Sequence, residues 1–405
     1  MSNDSGCGGG VSVVSNRFDE VAESSRTPVR DGGHPPVASG DTPATSGPNS
    51  ATKGSRIPVN SGSPTPVNIG EIARLAGVSR STVSYALSGK RPISERTRLR
   101  IQKVIDEHGF QPNASARALA HGRTQSIGVV FPPAGRRYTD MQLDFLSAVI
   151  DAAAVHDHDV LLSRSGEGWD EAFDRLVGQR RVDGAILMEI RVQDSRVDRL
   201  LGTGFPFVTM GRTADPDALS WVDMDWTELT ARCVRHLAEL GHRRLALVNR
   251  PRELFAVGYE AAHRAVDGFR VAVDELGLTG EIHHCGDDAA SGEAVVQELL
   301  DHDPLTTGLV VLNEAALVGL YRGLDRAGLS VPGDVSVTGV VGARWAETVT
   351  PMMTGFDNSS DVMGRLAVDL LLERLAGSST ARPRQHLLTP ELTVRASTGP
   401  AQTRS

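Results

Sequence analysis

Apolar positions along this chain follow two regimes. From Val67 to His108 they recur three and four residues apart, the spacing of helices that bury one face. Ile72, Ala76, Val78, Val83 and Ala86 fall where two short helices must pack, and Ala73 is small enough to let them cross closely. The pattern predicts a helix over about Ile69 to Leu75 and a second running to about Leu87 with Ser79 as its N-cap. Gly77 lies between them, where a residue without a β-carbon takes positive φ readily. Ser88-Gly89-Lys90-Arg91-Pro92 breaks the chain. Ser94 then caps a third helix with Leu99, Ile101, Val104, Ile105 and His108 near one side, and Gly109 stops it. Pro112-Asn113 opens a short run of helix formers, Ala114 to Ala120, capped by Asn113.

From Ser126 short β-rich apolar runs alternate with amphipathic stretches. The runs are SIGVVF (126–131), DVLLS (159–163), GAILM (184–188), FPFVTM (205–210), RLALV (244–248), GLVVL (308–312) and VSVTGVV (335–341). Helical stretches lie at 141–156, 226–240, 261–276, 314–327 and 358–375. This order predicts parallel sheets with helices on both faces. About 270 residues suits two similar lobes, with ligand contacts in the loops beyond the carboxyl ends of strands. Residues 1–66, rich in Ser, Gly, Pro, Thr and Asp, show no sustained period and are expected to be a disordered tail. A natural start at a valine codon near Val59 or Val67 is the alternative.

Charge changes the picture. Residues 67–124 carry ten Lys/Arg against four acids, a net of +6 in a chain of formal net charge −8, which leaves about −14 on the rest. A basic helix-turn-helix on an acidic body fits one local polyanion contact, DNA above all, with a body that does not adhere to DNA indiscriminately. Aromatics are only 4 %, so the cores are aliphatic. Cys7, Cys233 and Cys285 are far apart and have no disulfide or zinc spacing. No apolar run approaches membrane-spanning length and no signal-peptide pattern opens the chain, so a cytoplasmic protein is expected.

The motifs carry a further identification. NIGEIARLAGVSRSTVSYALSG, NASARALAHGRTQSIGVVF, LGHRRLALV, GLSVPGDVSVTGV and DVMGRLAVDLLLERL occur in the order found in the LacI/GalR family of bacterial transcription regulators. The chain resembles that family from residue 67 to about 397. The resemblance implies an N-terminal helix-turn-helix DNA-binding domain (67–112) and a hinge helix (113–124). A two-lobed, periplasmic-binding-protein-like α/β effector and dimerisation domain (125–397) and a short C-terminal tail (398–405) follow. It implies a homodimer on double-stranded operator DNA, probed by a small-molecule effector between the lobes, with no cofactor and no metal.

Carried over by position, Arg80, Ser81 and Tyr85 stand where the family reads base edges in the major groove. Arg80 has the donor fork that guanine O6 and N7 accept. Ser79, Thr82, Ser84 and Asn113 stand at backbone-contact positions, which orient without specifying sequence. Leu119 resembles the family's hinge leucine, which wedges a central base step in the minor groove, and Ala116 keeps paired hinge helices close. So short a helix is expected to fold only on DNA within a dimer.

The effector site departs from the family. Asn313 follows GLVVL where the family often has Asn-Asp; here Glu314 comes next, and Asn313 reads either as a ligand contact or as a helix cap. The family's arginine three residues before a Gly-Phe pair falls on Ala265, with Arg264 one place off. The Asp that commonly follows VSVTG is missing from Gly339-Val340-Val341-Gly342, which argues against a simple copy of the usual monosaccharide site. Arg212 and Arg344 add positive candidates near strand ends. Trp221, Phe255 and Trp345 read as stacking platforms or as core. A sugar or sugar derivative is expected, with a nucleoside or anionic metabolite as alternative. His156-Asp157-His158-Asp159 reads as a solvated polar loop, and alternation along a strand keeps His283, His284 and Cys285 from converging on one ion. No P-loop, nucleophile elbow or paired catalytic acids appear. The rival readings are an enzyme on the α/β body and a regulator with a degenerate pocket controlled by a partner.

Overall fold

The computed structural model describes residues 68–88, 91–110, 122–131, 139–164, 170–357, 359–377 and 382–402. Three helices come first: α1 (Ile69–Leu75), α2 (Arg80–Ser88) and α3 (Glu95–His108). Asn68 caps α1 by accepting from the amides of Gly70 and Glu71, and Ser94 caps α3 by accepting from Thr97 N. Gly77 and Gly109 both adopt φ of 59°, closing α1 and α3 without the steric cost a β-carbon carries there. Ile72, Ala73, Ala76, Val83, Ile101, Ile105 and Phe110 form one small core. Leu99 does not join it: it is 61 % exposed, because two residues along a helix from Ile101 is the opposite side. His108, the last residue of α3, is exposed too. The expected hinge, with Asn113, Ala116 and Leu119, and the expected tail lie outside the described residues.

The body contains β1 (Ser126–Phe131), α4 (Asp140–Val155), β2 (Asp159–Arg164), α5 (Asp170–Val177), β3 (Gly184–Leu187), α6 (Ser195–Thr203), β4 (Phe207–Met210) and β5 (Trp221–Met224). The chain then crosses to α7 (Trp226–Glu239), β6 (Arg244–Asn249), α8 (Arg252–Ala256), α9 (Glu260–Glu275), β7 (Thr279–His284) and α10 (Ala289–His302). There follow β8 (Gly308–Val311), a 3-10 turn (Glu314–Ala316), α11 (Leu317–Arg326), β9 (Ser336–Val340), α12 (Ala343–Ala346) and β10 (Thr354–Phe356). Finally α13 (Ser360–Leu375) and β11 (Gln385–Leu388) return to the first lobe and β12 (Leu392–Thr393) to the second. The two sheets have the orders β11-β5-β4-β3-β1-β2 and β12-β10-β9-β8-β6-β7, parallel except for the β10–β12 pair. The chain therefore passes between lobes three times, after β5, β10 and β11.

Central strands are buried on both faces. In β6, Leu245 and Leu247 pack toward α7 and α9, while Ala246 and Val248 pack toward α10 and α11. That two-sided demand explains continuous apolar runs such as LALV. In the first lobe, Phe145 and Val149 of α4 and Ala367, Val368 and Leu371 of α13 cover one sheet face; Phe173, Leu176, Val197 and Leu200 cover the other. The seven expected strand runs all form. Helices α5, α6, α8, α10 and α12 and strands β5, β10, β11 and β12 are additions to that reading. The strands escape because they are two to four residues long, and WVDM is interrupted by the buried Asp223. Buried Cys233 and Cys285 have thiols pushed up to about 12 by desolvation. Among the described residues no helix is long and apolar enough to cross a membrane.

Helices α7 and α9 meet at Gly268, where an added β-carbon stands 2.0 Å from the carbonyl oxygen of Thr227. Backbone at that distance cannot yield as a side-chain tip does. Gly268→Ala is expected to destabilise the second lobe by about 1–3 kcal/mol, read as a lower urea midpoint. An unchanged midpoint contradicts the close crossing.

Candidate functional site

Two sets of polar residues stand out, one at the start of α2 and one between the lobes. Ser79 Oγ accepts from Thr82 N at 3.1 Å and lies 2.7 Å from Ser81 Oγ and 2.8 Å from Thr82 Oγ1. Ser79 is thus the N-cap of α2, and three hydroxyls cluster where the helix presents its positive dipole end. Ser79, Arg80 and Ser81 are exposed; Thr82, Ser84 and Tyr85 are half-buried. The Arg80 guanidinium lies over Gly70, where even a β-carbon sits 2.6 Å from it. Arg91 stacks over the Tyr85 ring, 5.3 Å from its centroid. Hydroxyls and Arg80 at the start of α2, with Tyr85 and Arg91 toward its other end, form a surface suited to phosphates and base edges.

The interlobe cleft lies beyond the carboxyl ends of β3, β4 and β6. Its floor is a narrow cavity of about 40 Å³ walled by Met188, Glu189, Met210, Asp223, Arg250 and Glu260 among others. Glu189, leaving β3, adopts a φ of 49°, a left-handed conformation that costs a non-glycine residue about 1–2 kcal/mol. Main chain crosses the cleft directly. Val192 N donates to Gly258 O at 2.8 Å and Glu260 N to Ile190 O at 3.0 Å, around an antiparallel bridge of Arg191 with Tyr259.

Beside this bridge four charged side chains interlock across the lobes. Asp223 on β5 accepts from Arg212 Nε at 2.8 Å. Glu260, first residue of α9, pairs with Arg264, whose other nitrogen donates to Thr213 O at 3.3 Å. Asp223 and Glu260 are both nearly inaccessible and hydrogen-bond each other, which requires a proton between them. Burial first, and then the Asp223 carboxylate, push Glu260 well above the usual carboxyl range; burial raises Asp223 as well, against the opposing charge of Arg212. The arrangement is a proton-bearing clasp between lobes.

Arg250 follows β6 and is buried. Its Nη1 donates to Glu314 Oε2 at 2.8 Å, and Nη2 lies 3.8 Å from Asp287 Oδ1. Glu314 also faces a larger cavity of about 550 Å³, bounded by Asp140, Glu253, Asp287, Asp288 and Trp345. Of the effector candidates, then, Glu314 lines a cavity, while Arg212 and Arg264 stand behind the wall and hold Asp223 and Glu260. Asn313 is fully buried, and its amide nitrogen donates to Cys285 O at 2.8 Å and Gly286 O at 3.1 Å. It ties the end of β8 to the loop after β7 and makes no side-chain cap for the 3-10 turn. Trp221 is corrected from platform to core: it packs with Phe207 and Leu219 inside the first lobe, because it opens β5 at the end away from the cleft. Phe255 stacks on His263, ring centroids 3.9 Å apart. Asp223, Arg250, Glu260 and Asp287 were missed. The usable signal was a charge within or directly after an apolar strand run, as in WVDM and LALVNR.

Comparison with known proteins decides the family. Residues 68–113 match the family described as bacterial regulatory proteins, lacI family, and residues 234–398 match a periplasmic binding protein-like domain. The HTH-type transcriptional regulator AglR of Rhizobium meliloti (strain 1021) is 32 % identical over 84 % of this chain and 96 % of its own length. The chain belongs to the lacI family of bacterial regulatory proteins. The HTH-type transcriptional regulator CelR of Thermobifida fusca is 30 % identical over 80 % of this chain and 96 % of that regulator. A solved CelR–cellobiose complex aligns with a TM-score of 0.60 at 28 % identity, covering 82 % of this chain and 99 % of that one. A lac repressor dimer bound to operator and an anti-inducer aligns at 0.72 with 23 % identity, covering 83 % and 100 %, and bears on fold alone. This regulator accordingly has the helix-turn-helix and two-lobed architecture expected of it.

The clasp makes the regulator's stability depend on pH with a definite sign. The folded state holds a proton on Glu260 that the unfolded chain releases above about 4.5. Stability therefore falls as pH rises from 4.5 toward the raised folded value. Glu260→Gln keeps the hydrogen bond without the titration and is expected to flatten the dependence of Tm on pH in that window. Parallel wild-type and variant profiles contradict the shared proton.

Proposed function

We propose that this regulator is a dimeric, sequence-specific repressor whose grip on operator DNA is set by a sugar-class effector between its lobes. The carrying observation is that the exposed, hydroxyl- and arginine-bearing start of α2 shares a chain with a cleft where buried acids of the two lobes, Asp223 and Glu260, meet, each backed by an arginine. One element suits DNA; the other responds to whatever changes the lobes' separation. The cellobiose complex of one relative supports the effector half of the reading, and the match of residues 68–113 to the lacI family of bacterial regulatory proteins supports the DNA half. The domains run as 67–112 for DNA, 113–124 for the hinge, 125–397 for effector and dimer contacts, with tails at 1–66 and 398–405. Arg80, Ser81 and Tyr85 read bases. Ser79, Thr82, Ser84 and Asn113 hold the backbone, and Ala116 and Leu119 enter the minor groove. The body binds ligand and performs no reaction, and the protein works in the cytoplasm, where its DNA is.

A second copy has a face to use. Leu143 and Ile150, seven residues apart on α4, point the same way and are 44 % and 43 % exposed, and Leu162 on the neighbouring edge strand is 55 % exposed.

Selection of binding sites from random duplex DNA, followed by titration at fixed salt, tests the reading. A near-palindromic site should emerge. Arg80→Ala should weaken that site by about 1–3 kcal/mol and relax preference at one base pair per half-site. No enriched site, or an Arg80→Ala protein with unchanged preference, overturns it. Ile150→Glu should shift the protein toward monomer in sedimentation and weaken operator binding with it; a stable dimer in this variant places the interface elsewhere.

A further inference from the structure

Gly70 and Arg80 meet where the first turn of α1 faces the start of α2. Two other arginines of this module are paired on the surface, Arg74 with Glu71 and Arg98 with Glu95. Arg80 is different: it is exposed, and among the described residues no hydrogen bond or ion pair engages it. Its guanidinium still has a definite place, against the first turn of α1. A β-carbon added at Gly70 would stand 2.6 Å from Nη2, 2.8 Å from Nε and 2.9 Å from Cζ of Arg80, which are the nearest heavy atoms to it. Contacts that short do not persist, so any side chain at position 70 displaces the guanidinium.

The support beneath the guanidinium is fixed. Asn68 Oδ1 accepts from Gly70 N at 2.9 Å and from Glu71 N at 3.1 Å, which pins the first turn of α1. The backbone at Gly70 has no need of glycine: the residue lies within α1 and does not take positive φ. Inside a helix alanine is the better former. A glycine that its own backbone does not require, packed under one side chain, matters for the space it leaves. Here that space is taken by the cation at the end of α2 that a helix-turn-helix presents to DNA.

Resting on the reading of Arg80 as a base contact, we propose that Gly70 is a positioning residue for operator specificity. Lacking a β-carbon, it lets the Arg80 guanidinium rest against α1 with its donors unengaged. A long side chain confined in this way loses less rotamer freedom when it binds. The benefit is realised at the base pair whose acceptors meet both donors of the fork. A methyl at position 70 frees the guanidinium to sweep. It therefore weakens binding to the matched base and leaves mismatched ones as they are. The fold tolerates that methyl, because the atoms it meets are the far end of a flexible side chain and not backbone.

The full chain carrying Gly70→Ala, Arg80→Ala or both tests this. Each protein is titrated at fixed salt on the site that the wild type selects from random duplex DNA, and on that site changed at each base pair in turn. Gly70→Ala should weaken the selected site by roughly 2- to 12-fold. It should also narrow discrimination at the base pair that Arg80→Ala relaxes, with a Tm no lower than wild type. In the double variant the methyl should have no effect beyond that of Arg80→Ala. A Gly70→Ala protein with unchanged preference, or with tighter binding, overturns the positioning role, while base reading by Arg80 stands on the Arg80→Ala result. A loss in the double variant as large again as that of Gly70→Ala alone means that the methyl acts through the fold or on DNA directly, and overturns it too. If Arg80→Ala leaves preference unchanged, the base-contact reading falls and this inference with it.

Discussion

Charge buried between two lobes has to be matched across them, and much of this body's architecture follows from that constraint. Asp223 from one lobe and Glu260 from the other are taken out of water together. They coexist because each has an arginine behind it and one proton lies between them. Arg250 and Glu314 repeat the solution within the second lobe, at the boundary of the two cavities. Such pairs contribute little net stability against an apolar alternative, but breaking one by removing a partner costs roughly 3–5 kcal/mol. Their value is positional. They specify one closed geometry, and they make that geometry sensitive to any ligand that offers the same groups better partners.

A signal from the cleft needs a receiver whose own stability is low. The DNA-binding helices have a small core of seven buried side chains, and the proposed hinge is too short to hold helical structure unaided. Marginal elements respond to small changes in how two copies are presented. A shift of lobe geometry worth 1–3 kcal/mol is enough to change operator affinity by roughly 5- to 150-fold. The body's acidic balance keeps that response confined to the basic module, since the rest of the surface repels phosphate at long range.

The helix-turn-helix was legible almost to the residue because its determinants are local. Ser79 and Ser94 are caps, Gly77 and Gly109 are stops, and Ile72 and Val83 are spaced to meet, while the Asn68 cap of α1 went unread. The parallel sheets were legible because strands buried on both faces must be apolar runs. The cleft was much less so. Asn313 occupies a family position after a strand and Trp221 read as a stacking platform or as core, yet which end of β5 faces the cleft and where the Asn313 amide finds carbonyls are tertiary facts. Arg212 and Arg264 read from the sequence as effector-contact candidates, and their hold on Asp223 and Glu260 was not legible, because those partners lie 11 and four residues away along the chain and only the fold brings the two acids together. Very short strands such as β12 exist only because a neighbouring strand pairs with them.

The central claim is that cleft and operator are thermodynamically linked, and reciprocity measures this most directly. For any compound found to bind the body, operator affinity is determined with and without saturating compound, and compound affinity with and without saturating operator, all at one salt concentration. The account predicts a change of at least fivefold, with the same factor in both directions. A compound bound in the cleft that leaves operator affinity unchanged, on protein confirmed as dimeric, contradicts it.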